Sequence, residues 1–357
     1  MNSNDFIRWF ADIHLNDRPA VGGKGASLGE LLNAGIRVPP GFVVRTAAFR
    51  EAFRQSGIGP EIVRAVESLH GKGLEEIAAA TREIRARILH EPLPASVNDA
   101  VVAAYEQLAR LDEGFFPVAV RSSATSEDSE EASFAGLQET LLWVLGEAGV
   151  LHAVRECWAS LYSTESVSYR LRLALPEPEV AMAVVIQRMV NARSAGVMFT
   201  RSPATGDRSV IAIEGGFGLG SSIVSGEVTP DKFIVSKVTG EVTGRAVAHK
   251  VIEHAPDPRH GGIITREVPA EQQRQPCISD EELRELVRLG KNIERHYGHP
   301  QDIEWAIDRS GVFPDNIYLL QSRPETVWAK KDRDRQPTAI PKAHAYDHVF
   351  SLMGGRK

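Results

Sequence analysis

The sequence predicts an α+β chain of two lobes, and three observations predict it. Residues 46–110 carry apolar positions at helical spacing, such as Leu74, Ile77, Thr81, Ile84 and Ile88. From Ala181 the pattern changes to short apolar strands: AMAVVIQRMV, SAGVMFT and SVIAIE. Two further strand patterns, DIEWAID at 302–308 and NIYLLQSRP at 316–324, close the second lobe. An N-terminal lobe is expected over 1–180, a strand-rich lobe over 181–328, and a charged tail over 329–357. A chain of 357 residues is too long for one simple core, which agrees with more than one packed unit.

In chain order, residues 22–35 (GGKGASLGELLNAG) read as a glycine loop running into a helix that Gly35 ends. After the helical region comes a short strand, Phe116 to Val120, that ends in the polar loop RSSATSEDSEEASFAG. A strand from Leu141 to Leu145 follows. A helix over about 148–172 then places Val150, Val154, Trp158 and Leu161 on one face. Beyond SVIAIE lie the glycine loop GGFGLG (215–220) and a hairpin, FIVSKVTGEVTG, that turns at Gly240. Residues 254–276 are rich in proline, glycine and charge and read as loop. Ser279 and Glu282 form a capping box for a helix carrying Leu283, Leu286, Val287 and Ile293, closed near Gly298. The tail, from about Ala329, reads as a solvated linker.

Composition narrows the function classes. The net charge of −6 arises from interspersed signs and gives no nucleic-acid footprint. No apolar run approaches the ~20 residues that would span a bilayer, and the charged N-terminus does not read as a signal peptide. The two cysteines, Cys157 and Cys277, have no metal-ligand spacing and fit a reducing cytoplasm, the expected location. The histidines, His249, His254, His260 and His296 among them, also lack such spacing.

Several residues stand out chemically. Side chains alternate along a strand, so Asp302 and Glu304 share a face opposite Ile303, Trp305 and Ile307. On the next strand Gln321 is expected on the face of Leu319 and Arg323. Paired as a hairpin, these strands would bring two carboxylates, an amide and a guanidinium together. Hard oxygens suit Mg²⁺, and Arg is the forked donor for phosphate. Lys24 sits among glycines ahead of a helix, where an anion is favoured, although the spacing is not that of a Walker A loop. Arg121 leaves an apolar strand beside Ser122, Ser123, Thr125 and Ser126. Gly136 and Thr140 belong to a second small-residue loop, and Gln187 interrupts an apolar strand. Plainer readings stay open for each: an exposed turn lysine, an arginine paired with Glu127 or Asp128, a turn glycine, a solvated strand face, a glutamine satisfying backbone. GGFGLG lacks the Gly-x-Gly-x-x-Gly spacing of a Rossmann site.

Taken together and in order, VGGKGASLGEL, VPPGFVV, VAVRSSATSED, SFAGLQET, VIQRMV, SAGVMFT, GLGSSIVSGEVTPDKF, HYGHPQDIEWA and LLQSRPETVW resemble the N-terminal nucleotide-binding domain of the PEP synthase/pyruvate phosphate dikinase family, over about residues 20–328. The resemblance implies an ATP-grasp-like fold of two lobes, with ATP and Mg²⁺ as cofactors. It implies that Lys24 and Arg121 bind and polarise the phosphates, that Arg323 clamps them, and that Glu304 and Gln321 hold Mg²⁺ with Asp302 beside them. Gly136 and Thr140 would line the phosphate loop, and Gln187 would lie near the adenine. Ser221 stands where the family usually has an acidic residue after Gly-Leu-Gly.

The family's phosphorylatable histidine lies in a Thr-x-Gly-Gly-x-x-x-His-like motif that this sequence does not contain. The resemblance therefore implies a separate subunit or domain carrying that histidine, with no nucleic-acid or membrane partner. Among family members a stand-alone ATP-binding chain is most similar to the subunit of phenylphosphate synthase, which makes phenol the expected acceptor. A PEP synthase or rifampin phosphotransferase-like enzyme is the alternative, and a non-catalytic nucleotide sensor is an alternative of a different class.

Overall fold

The computed structural model describes residues 5–111, 116–125, 139–257 and 259–335. Gly136, Ser126, Glu127, Asp128 and the tail beyond 335 lie outside them. Two antiparallel sheets organise the chain. The first has the order β1 (Ile7–Trp9), β2 (Gly41–Val44), β5 (Met182–Arg188), β3 (Val118–Ala124), β4 (Thr140–Val144). The second runs β13 (Ile317–Pro324), β12 (Gln301–Asp308), β6 (Ala192–Phe199), β7 (Val210–Phe217), β8 (Asp231–Ser236), β9 (Val242–Ala246). The change of pattern at Ala181 is not a change of sheet, because β5 inserts between β2 and β3. β1 and β2, which the sequence reading did not single out, form one end of the first sheet.

One face of the first sheet packs under helices α2 (Thr46–Ser56), α3 (Gly59–Glu67), α4 (Leu74–His90), α5 (Ala95–Ala109), α6 (Gly146–Ser160) and α7 (Thr164–Arg172). The helix expected over 148–172 is thus two helices. They meet at Ser163, whose hydroxyl caps α7 by accepting from the Ser166 N–H. The other face shares a second core with the second sheet. Val43, Ala183 and Val185 meet Leu28 and Leu31 of α1 (Arg18–Asn33), while Trp305, Ile307, Leu319 and Met198 meet Leu286 and Ile293 of α9 (Asp280–Tyr297). Helix α1 is therefore wedged between the sheets. The expected capping box holds α9: the Ser279 hydroxyl accepts from the Glu282 N–H, and the Glu282 carboxylate from the Ser279 N–H. Gly298 closes it at φ 74°.

The structure corrects four local expectations. The glycines of 22–29 lie within α1, which breaks at Gly22 (φ 72°, ψ 177°). β3 does not end at Val120 but continues through Ala124, since Ser122 and Ser123 bury their hydroxyls against the carbonyls of Glu139 and Val21. Residues 254–276 contain most of a hairpin, β10 (Ile252–Pro256) with β11 (Ile263–Glu267). Every residue of β11 is exposed, so it shows no alternation to read. The segment from Ala329 begins inside a helix, α10 (Val327–Arg335), which Trp328 and Arg201 anchor through Pro203 and Asp332. The hairpin at Gly240 is found as expected, with φ 75°.

Candidate active site

Alternation along β3 sets up the site. On the face that looks toward the second sheet, Ser123 lies under α1 and Arg121 comes next. Ala119 follows, lining an open cleft with Gln187 of β5. Arg121 is buried and bridges the sheets. Its guanidinium donates to the Leu320 carbonyl (3.1 Å) and to Glu304 Oε2 (2.8 Å). The Glu304 carboxylate is 41% exposed, whereas the Arg121 side chain is 9% exposed. The arginine expected at a strand exit thus lies within the strand, and its acidic partner comes from the other sheet.

Glu304 pairs directly with Gln321 across β12 and β13, and Asp302 pairs with Arg323. A bulge between Glu304 and Trp305 inserts Leu320, which changes the alternation on β13. Leu319 turns into the core against Trp305, while Gln321 joins Glu304. The expectation that Gln321 shares the face of Leu319 is corrected by that bulge. The gathering of Asp302, Glu304, Gln321 and Arg323 follows from it. Arg323 Nε lies 3.6 Å from Asp302 Oδ2. The Gln321 amide oxygen is buried and has no hydrogen-bond partner among the described residues.

The cleft between the sheets holds about 360 Å³. Arg121, Thr140, Gln187 and Glu304 line it, together with apolar side chains from Met189, Val190, Leu219, Ile223 and Leu320. Gln187 is 3% exposed, and its amide donates to the Pro39 carbonyl at 3.5 Å. Lys24, Asp302, Gln321 and Arg323 do not line this cavity. Lys24 is buried in the turn of α1 just after Gly22 rather than exposed in a loop. That turn is tied to β3, two residues from Arg121: Ser123 Oγ accepts from the Gly25 N–H (3.3 Å) and donates to the Val21 carbonyl (3.0 Å). Such a trans-acting cap satisfies an otherwise open helix N–H.

The sequence reading took His254 for an ordinary histidine and had no partner for Ser221. The structure brings them together beside the cleft, with Ser221 Oγ 2.8 Å from His254 Nδ1. Their separation by 33 residues left no local signal. Among the described residues no group of three or more His, Cys, Asp and Glu is placed to hold a metal. No helix among them is long and apolar enough to cross a membrane.

Arg121, Thr140, Gln187, Ser221 and Glu304, each from one of the motifs that carried the resemblance, line this cleft, and the comparison with known families agrees. A match to the family described as pyruvate phosphate dikinase, AMP/ATP-binding domain, covers residues 18–344. The chain belongs to that family. It is 38% identical over 353 residues to a probable phosphoenolpyruvate synthase of Staphylothermus marinus, covering 92% of this chain and 42% of that protein. It is 42% identical over 337 residues to a probable phosphoenolpyruvate synthase of Archaeoglobus fulgidus (94% and 44%). It is 42% identical over 355 residues to the phosphoenolpyruvate synthase of Aeropyrum pernix (92% and 43%). The chain spans less than half the length of these relatives. The D-alanyl-alanine synthetase A of Vibrio cholerae aligns over 65% of this chain and 46% of its own, at 12% identity and a TM-score of 0.25, a likeness too slight to argue from.

Proposed function

We propose that this chain binds Mg·ATP in the cleft between its sheets and cleaves it as the ATP-using part of a dikinase-type phosphotransferase with an ATP-grasp-like arrangement. The observation that carries the reading is Arg121 against Glu304, with the buried amide oxygen of Gln321 paired across the strands to Glu304, at a mostly apolar cavity. An apolar cavity of this size suits a base, and a charged side suits phosphates. Glu304 and Gln321 fit Mg²⁺, a hard ion that takes one or two protein oxygens and completes its shell with phosphates and water. When bound, Mg²⁺ supplies neutralisation of charge on the transferring phosphates.

The chain's own residues divide the remaining work. Arg121, Lys24 and Arg323 supply positive charge to the phosphates, with Asp302 orienting Arg323. Gln187 and the apolar lining hold the base, and Thr140 with Gly136 guides the phosphate segment. The acceptor is a histidine on a partner subunit or domain. It takes the pyrophosphoryl unit from ATP, leaving AMP, then gives its terminal phosphoryl group to water as phosphate and hands on the remaining phosphoryl group. The names of the relatives favour pyruvate as the final acceptor. Phenol, the acceptor in the phenylphosphate synthase reading, is the second arm of the test.

That test combines calorimetry with label transfer. The chain should bind ATP more tightly with Mg²⁺ than without. With β-labelled ATP and a histidine-bearing partner, label should reach the partner and then pyruvate or phenol. A chain that binds no ATP, or that labels pyruvate or phenol with no partner present, contradicts the reading.

A further inference from the structure

The Gly-Leu-Gly turn that follows β7 is fixed to β10 twice. The Leu219 N–H donates to the His254 carbonyl at 2.9 Å, and Ser221 Oγ meets His254 Nδ1 at 2.8 Å. Gly218 permits this approach. It sits at φ 71°, and a Cβ there would lie 2.3 Å from the His254 oxygen. His254 is buried, and its other ring nitrogen, Nε2, lies 3.3 Å from Glu227 Oε2. Glu227 also accepts from the Ser225 hydroxyl at 2.8 Å, and these two hydrogen bonds, that from Ser225 foremost, hold its carboxyl below the usual range.

With a neutral His254 imidazole, these contacts fix a direction of hydrogen bonding. An ionised carboxylate only accepts, so a neutral His254 carries its proton on Nε2, toward Glu227. Nδ1 is then a bare acceptor, and the Ser221 hydroxyl must donate to it. The single Ser221 proton is used, and only lone pairs remain for the cleft that Ser221 lines. A ligand group beside Ser221 must therefore be a donor.

Position narrows the donor further. A side chain at Gly220 would stand 3.6 Å from Ala195 Cβ, on the strand next to the one that carries Glu304. Ser221 lines the same cleft as the apolar Leu219 and Ile223 and the charged Arg121 and Glu304. In a nucleotide the sugar joins the base to the phosphates, and its hydroxyls are donors. We propose that Ser221 reads the sugar of the bound nucleotide, accepting a hydrogen bond from a ribose hydroxyl while His254 and Glu227 keep its own proton turned away. This inference rests on the nucleotide reading above and adds to it a specificity residue and its two positioning residues.

The test is calorimetric binding of ATP, 2′-deoxy-ATP and 3′-deoxy-ATP to the wild-type chain and to Ser221→Ala and Ser221→Thr. The wild-type chain should bind one deoxy analogue roughly 3–10-fold more weakly than ATP, the worth of one neutral hydrogen bond. Ser221→Ala should lower ATP affinity to the level of that analogue, leave the analogue unchanged and so abolish the discrimination. Ser221→Thr, which keeps the hydroxyl, should restore it. A purely structural role for Ser221 would weaken all three nucleotides alike and would overturn the assignment. Equal affinity of the wild-type chain for all three would overturn it too, leaving the ATP site intact. No ATP binding at all would overturn the nucleotide reading and this one with it.

Discussion

Arg121 of β3 donates to Glu304 of β12 at 2.8 Å, so one ion pair joins the two sheets at the edge of the cleft. The pair is unequal, since the glutamate reaches solvent and the arginine does not. Removing Glu304 strands a buried guanidinium with the Leu320 carbonyl as its remaining partner among the described residues. Removing Arg121 leaves a carboxylate that water can solvate. Glu304→Ala should therefore cost about 1–3 kcal/mol of stability. Arg121→Met, which keeps the apolar stem, should cost less than about 1 kcal/mol. Urea unfolding of both variants checks the order, and a larger loss for Arg121→Met would refute it.

Glu304→Gln separates folding from metal binding. The amide oxygen still accepts from Arg121, but the charge is gone. The unfolding midpoint should move little, while Mg²⁺-dependent ATP affinity should fall at least about tenfold, the scale of one charge-assisted contact. Titrations with ATP at several Mg²⁺ concentrations read this directly. Unchanged Mg²⁺ dependence would remove Glu304 from the metal set.

Two glycines, one inside α1 and one just past its C-terminal end, offer a controlled comparison. Gly22 and Gly35 both have φ 72°, but a Cβ at Gly22 would lie 2.2 Å from Ser123, and at Gly35 it meets nothing within 4 Å. Gly35→Ala should cost only the left-handed strain, about 1 kcal/mol. Gly22→Ala adds a backbone clash that would push α1 off β3, and it should unfold the chain or lower its melting temperature far more. Equal melting temperatures for the two variants would argue against the α1–β3 contact.

Asp231 and Lys250 form an ion pair with both side chains fully buried (0% exposed). Asp231 accepts from Lys250 Nζ at 2.6 Å, from the Ala248 N–H at 2.8 Å and from the Cys277 N–H at 2.8 Å. Asp231→Ala leaves the ammonium without its counter-charge, with the Ala248 carbonyl still accepting from it at 3.0 Å, takes the acceptor from two amides, and should cost about 3–5 kcal/mol by chemical denaturation. A cost under 1 kcal/mol would mean that water reaches this site.

Cys157 and Cys277 are both buried, and desolvation is the main cause that pushes both thiols above their ordinary value. A raised folded-state value means that the neutral thiol is favoured by folding. The resulting stability is complete below the unfolded thiol value, about 8.5, and declines as pH rises through and above it. Thiol reagents should modify neither cysteine in the native chain and both after unfolding. Rapid native reaction of either would show that its surroundings open.

The sequence by itself determined the α+β class, the capped helix α9, the Gly240 hairpin and the shared face of Asp302 and Glu304. Each follows from local rules of periodicity, capping or turn chemistry that need no distant partner. Its ordered motifs also determined the family. Only the tertiary structure decided where β5 belongs, that β3 runs on through Arg121, and that the bulge at Leu320 turns Gln321 toward Glu304. Those outcomes depend on partners far along the chain. Ser122 and Ser123 can lie in a buried strand because Glu139 and Val21 accept their hydroxyl protons. Arg121 can be buried because β12 brings Glu304 to it, 183 residues away. The Ser221–His254–Glu227 chain was illegible for the same reason, because a hydrogen bond's direction depends on what sits at its far end.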